Sequence, residues 1–230
     1  MAMDSTNATA GDIPLTFAEE IMLLLVDDRS GKFIFVPQHS MSFVLSGAIL
    51  MDLAIRGKID SDLNKLIIID SSPTGDDLLD QTLERLAMAD EQHDARYWVE
   101  FCQRDSKLVR QQALDRLCKA GILELQENRV MWVFKSHRYP IRDDKAERQV
   151  KLRIMSILFS DEIPEPRDIA IIGLVDACGI FRHLLSAREH DGARERIAQI
   201  RKMDLIGQAV TNCVREIELQ LAQSMAVAPM

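Results

Sequence analysis

Lys107 and Arg110 stand three residues apart in KLVRQQALDRLCKA, with Arg104 one turn earlier. On a helix that spacing puts the cations on one face. A lysine supplies a compact point charge and an arginine a planar fork of donors, a combination suited to a phosphate group. Lys135, Arg138, Arg142, Lys145 and Arg148 follow downstream. The same spacing also describes an ordinary solvated helix face, so the pattern alone leaves both readings open.

Other chemistries have less to stand on. The histidines (His39, His93, His137, His183, His190) are scattered, with no HxxxH or HExxH spacing and no Cys/His cluster, so no metal site is expected. Cys102, Cys118, Cys178 and Cys213 lie far apart without a CxxC and read as reduced core residues. There is no GxSxG, GxGxxG or Walker loop, and PTGDD reads as a helix-entry turn. The acidic pairs Asp27–Asp28, Asp76–Asp77 and Asp143–Asp144 fall at helix ends, where carboxylates act as caps. No active site and no cofactor are expected, and the chain reads as a non-enzyme.

Charge narrows the partner class. The chain of 230 residues has a net charge of −8, which argues against wholesale attraction to nucleic acid. Between Arg104 and Arg153, thirteen Lys/Arg face seven Asp/Glu, a local +6 that leaves −14 on the remainder. That asymmetry suits one anion-seeking face on an acidic body. The N-terminus has no basic cluster or apolar core of a signal peptide, and no window holds the ~20 uninterrupted apolar residues of a spanning helix. The expected setting is cytoplasmic, with any membrane contact peripheral.

The elements that must position these residues are mostly helices. PRDIAIIGLVDACGIFRHLL, residues 166 to 185, is apolar on every side of a helical wheel between Ile169 and Phe181 apart from Asp176, so it must be enclosed by other helices. Asp176 then needs a partner. Thr16 and Glu19 form a capping-box start to TFAEEIMLLLVDD. KFIFV (32–36) reads as a short strand broken by Pro37, and Ser42–Arg56 as a second apolar helix closed by Gly57. Lys58–Asp70 reads as a hairpin, and Thr74 as the N-cap of a helix that follows.

Helices are also expected at 94–103 and at 107–120, the latter with Leu108, Leu114, Leu117 and Cys118 on its apolar face. Leu123–Gln126, a Glu127–Asn128 turn and Val130–Lys135 form a second hairpin. Val130, Trp132 and Phe134 then share one face of it and Met131 and Val133 the other. LAIRGKI and LCKAGIL echo each other as helix end, glycine, strand. The chain is expected to be mainly α, one buried apolar helix ringed by amphipathic helices, with short β-hairpins. Its expected organisation is a disordered tail over 1–13, a single domain over 14–222 and a frayed tail over 223–230.

LTFAEEIMLLLVDDRSG, LSGAILMDLAIRGKI, SSPTGDDLLDQTLERL, LDRLCKAGIL and PRDIAIIGLVDACGIF follow one another as in the Golgi phosphoprotein 3 family, which the chain resembles from about Leu15 to Leu205. Members are peripheral Golgi proteins that bind phosphatidylinositol-4-phosphate. The resemblance implies a headgroup pocket to which Lys107 and Arg110 contribute. The family's tryptophan and further arginine fall on Pro37 and Ser46, so affinity is expected to be lower and selectivity different. It also implies a protruding hairpin for membrane contact and oligomer formation, at Leu123–Lys135. Residues 1–14 contain no Arg, so the arginine-rich, coat-binding N-terminus of eukaryotic members is not evident. These departures suggest a homologue outside the eukaryotic Golgi system.

The leading expectation is a peripheral membrane adaptor that binds an anionic phospholipid headgroup at Lys107 and Arg110. A homo-oligomer is expected through the hairpin, with Trp132 as anchor. The alternative is a winged-helix-like nucleic-acid binder, with helix 107–120 in the major groove and hairpin 123–135 as the wing. The −14 on the remainder counts against it.

Overall fold

The computed structural model describes residues 15–62, 65–89, 91, 93–130, 134–203 and 208–227. The expected tail over 1–13 and Trp132, Met131 and Val133 lie outside these. The chain is mainly α with two short hairpins, and its buried apolar side chains form one cluster drawn from residues 17 to 217.

Helix α1 (Phe17–Leu25) starts at the capping box read in the sequence. Thr16 Oγ1 accepts from Glu19 N at 3.2 Å, and Glu19 Oε2 accepts from Thr16 N at 2.6 Å. Helix α2 (Gln38–Ile55) begins directly after Pro37, four residues earlier than expected. Its 18 residues are apolar enough to cross a bilayer by length and composition, but most of them are buried within the protein. It packs against α1 and against α3 (Asp77–Ala87), α4 (Ala95–Cys102), α5 (Ser106–Lys119), α7 (Pro166–Ala177) and α10 (Gln208–Val227). The enclosed centre is therefore shared between α2 and α7. They approach so closely that a Cβ on Gly47 would lie 2.5 Å from Leu174 Cδ1.

The apolar stretch 169–181 is buried apart from Asp176 and Gly179, but it is not one helix to Leu185. Gly179, at φ +65°, ends α7. Its N–H donates to Asp176 O at 2.9 Å, and Ile180 N donates to Val175 O at 3.0 Å, the paired bonds of a Schellman close. A side chain at φ > 0 would be strained, which is why glycine stands there. The short helix α8 (Phe181–Leu184) follows, then α9 (Ala187–Lys202). Gly57 and Gly121 close α2 and α5 with the same pair of bonds, so the echo between LAIRGKI and LCKAGIL is accounted for by a shared helix ending. Asp176 finds its partners on later helices: Arg215 Nη2 at 2.5 Å and Arg201 Nε at 3.7 Å.

Several local expectations are corrected. KFIFV is no strand: it makes one isolated bridge, Val26 to Phe33, because the chain beside it is extended only over the short exit from α1 at Val26. Asp76, not Thr74, caps α3, accepting from Leu78 N and Leu79 N, while Thr74 donates to Asp80 Oδ1 at 2.6 Å. The first hairpin, β1 (Ile59–Asp62) and β2 (Lys65–Ile68), lies within the expected 58–70, but Asp60, Ser61 and Asp62, expected in its Asp60–Asn64 turn, are strand residues paired with Ile67, Leu66 and Lys65. In the second, β3 (Gln126–Val130) pairs with β4 (Phe134–Arg138), so Glu127 and Asn128 are strand residues opposite His137 and Ser136. Val130 and Phe134 are cross-strand partners rather than alternate residues of one strand.

A chain of opposite charges fastens the helices to each other. Glu20, 3% exposed on α1, pairs with Arg153 of α6 (Asp144–Leu158) and with Arg167 of α7, whose Nε lies 2.8 Å from Glu20 Oε1. Arg153 Nε also stands 2.8 Å from Asp168 Oδ1, and Arg167 Nη1 lies 3.7 Å from Asp52 Oδ1 on α2. Asp52 accepts from Phe17 N at 2.9 Å, and burial lifts its carboxyl to about 7.

Candidate functional site

Helix α5 is positioned by its buried face. Ser106, Val109, Ala113, Leu114 and Leu117 are enclosed, which turns Lys107 outward and leaves Arg110 half-buried at the edge. Leu108, expected on the apolar face, is instead 46% exposed, because the wheel turns on Val109. At the start of the helix, Ser106 Oγ lies 3.2 Å from Ser42 Oγ, joining the first turns of α5 and α2.

Arg110 is set over an aromatic floor. Its guanidinium carbon lies 5.0 Å from the centroid of the Phe33 ring, and Phe33 in turn lies 5.4 Å from Tyr139. Burial pushes the Tyr139 hydroxyl above its ordinary value, partly offset by the nearby Arg110 charge. Tyr139 is held by its N–H, which donates to Gly31 O at 2.7 Å. Arg110 Nε is enclosed without a hydrogen-bond partner, and no carboxylate among the described residues pairs with Lys107 or Arg110. Most buried polar groups are satisfied, so an enclosed guanidinium nitrogen without a partner has an unused donor.

That freedom contrasts with the neighbouring cations. Arg116, two turns further along α5, is spent on Asp76; burial is the largest single influence and raises the Asp76 carboxyl, but the Arg116 hydrogen bond and charge together with the Leu78 and Leu79 N–H bonds bring it below its ordinary value. Arg85 pairs with Asp105 at 2.5 Å, whereas Arg104, like Arg110, lies over an aromatic ring, that of Phe101 at 5.6 Å. The open cleft beside α6, about 590 Å³, is neutralised from within. Its Lys151 is held by Glu147 at 2.6 Å and by Asp28, and its Arg148 by Asp144. The sequence reading missed this cleft because its acids looked only like caps, a role Asp143 does fill by accepting from Lys145 N at 3.1 Å.

The other two positions implied by the resemblance are both on α2 or its start. Pro37 is the N-cap of α2. Ser46 is fully buried, its Oγ donating to Val99 O at 2.5 Å, so this hydroxyl ties α2 to α4 and faces no ligand. The hairpin residues Val130 and Phe134 are placed as register partners, and Trp132 lies outside the described residues. The structure thus brings together Arg110, Phe33 and Tyr139, with Lys107 exposed one turn before Arg110 on α5. Phe33 was not foreseen as part of the site; the aromatic run KFIFV was its only signal.

A mainly helical body packed around α2 and α7, with two short antiparallel hairpins, is the class of protein that this fold defines. Within that class the chain belongs to the Golgi phosphoprotein 3 (GPP34) family, which matches residues 17–217. It is similar to Vacuolar protein sorting-associated protein 74 of Eremothecium gossypii, at 24% identity over 77% of this chain and 63% of the relative. The protein of the same name in Schizosaccharomyces pombe is 28% identical over 64% of this chain and 49% of the relative. The chain therefore spans less than two thirds of the length of these relatives.

Proposed function

We propose that the protein is a non-enzymatic, peripheral membrane adaptor that binds an anionic, phosphoinositide-like phospholipid headgroup through Lys107 and Arg110, on the cytosolic face of a membrane. The observation that carries this reading is the pair of cations left without a carboxylate on a rigid helix of an acidic protein. Arg110 offers a fork steadied on Phe33, and Lys107 offers a mobile point charge one turn away. The family membership supports the lipid as the source of the anion. The absence of a second arginine at Ser46 and of an aromatic at Pro37 weakens the pocket and broadens its choice of headgroup. The β3–β4 ribbon is the second contact element, through which copies of the chain associate.

Flotation with vesicles tests the site. Each basic residue near an anionic bilayer contributes about 1 kcal/mol, so Lys107→Ala/Arg110→Ala should bind about 30-fold less well at low salt. Equal flotation of variant and wild type removes the site.

A further inference from the structure

Phe35 is 78% exposed, a large apolar surface for a single side chain. It sits in the stretch between α1 and α2, and its place there is fixed at both ends. Two residues earlier Phe33 lies under Arg110, and two residues later Pro37 opens α2, whose Ser42 touches Ser106 beside Lys107. A chain advances at most about 3.6 Å per residue, so Phe35 is held within roughly 7 Å of Phe33, on the Arg110 side of the molecule. On its other side the ring stands edge-on to His183 at 6.5 Å, next to the exposed Arg182. Lys32 is exposed at the head of the same stretch.

We infer that Phe35 is an interfacial anchor: its ring enters the boundary between headgroups and acyl chains of an anionic bilayer, while Lys32, Lys107, Arg110 and Arg182 meet lipid phosphates around it. This rests on the lipid-binding reading above and adds to it an apolar contact outside both the cation pair and the hairpin. Exposure alone does not single out Phe35. Ile163 is 89% exposed, but Asp161, Glu162 and Glu165 surround it in sequence, and an anionic surface repels that loop. At Phe35 the charges have the opposite sign. An apolar ring framed by cations is the arrangement that an anionic interface stabilises on both counts, burial and charge.

Three proteins and two vesicle compositions, neutral and anionic, test the anchor. Phe35→Ser should keep the wild-type melting curve, because the side chain packs against little, and should bind anionic vesicles roughly tenfold less well. Phe35→Trp should bind like wild type, with a blue-shifted emission component, quenched by brominated acyl chains, that wild type lacks. If Phe35→Ser floats as wild type does while Lys107→Ala/Arg110→Ala does not, the anchor is wrong and the cation site stands. If both variants float like wild type, or wild type binds neither vesicle and the Phe35→Trp emission is unchanged, both readings fall.

Discussion

Asp52 is the residue whose setting makes the clearest demand on solution behaviour. It is 3% exposed, accepts from Phe17 N and has Arg167 at 3.7 Å, yet burial still outweighs these and raises it to about 7. An acid whose folded pKa lies above its unfolded value binds its proton more tightly when folded. The resulting stability is complete below the unfolded value of 3.8 and is lost as pH rises through about 7. Asp52→Asn keeps an acceptor for Phe17 N and removes the titration. Relative to wild type, it should gain about 3 kcal/mol between about pH 5 and about pH 8, or roughly 8 °C in Tm. The same Tm difference at both pH values would show that Asp52 is ionised throughout.

Elements show where local sequence rules suffice and where they stop. The capping box at Thr16 and the cap at Asp143 need only neighbours a few residues away, and both were legible. The choice between Thr74 and Asp76 was not, because Arg116, forty residues on, holds Asp76 in place. Burial of 169–181 was legible from composition, whereas its break at Gly179 depended on a backbone angle. Lys107 and Arg110 could be picked out by spacing, but Phe33 joins Arg110 only through the tertiary fold.

The charge chain between α1, α6 and α7 was equally invisible, and it can be tested. Arg153→Met leaves Glu20 and Asp168, both enclosed, short of a partner and should cost about 3 kcal/mol. A chemical melt within error of wild type would contradict that coupling. For the β3–β4 ribbon, a two-stranded element is marginal by itself, so light scattering should find wild type dimeric and Trp132→Ser monomeric with little change in Tm. A monomeric wild type at high concentration would rule out assembly through the ribbon.

At the scale of the whole molecule, an acidic body carries Lys107 and Arg110 side by side on α5 without a carboxylate partner among the described residues. The net charge of −8 opposes approach to an anionic membrane in general, so binding depends on orientation. Lys107 and Arg110 at the start of α5 must face the lipid while the acidic remainder faces away. Headgroup contact made in this way is electrostatic and screened by salt over about 10 Å at 0.1 M. The most direct measurement is therefore the partition of the wild-type protein onto vesicles with and without anionic phospholipid across a salt series. Binding to anionic vesicles should weaken steadily as salt rises, with little binding to neutral ones. Equal binding to both compositions, or none to either at low salt, would contradict headgroup contact of this kind.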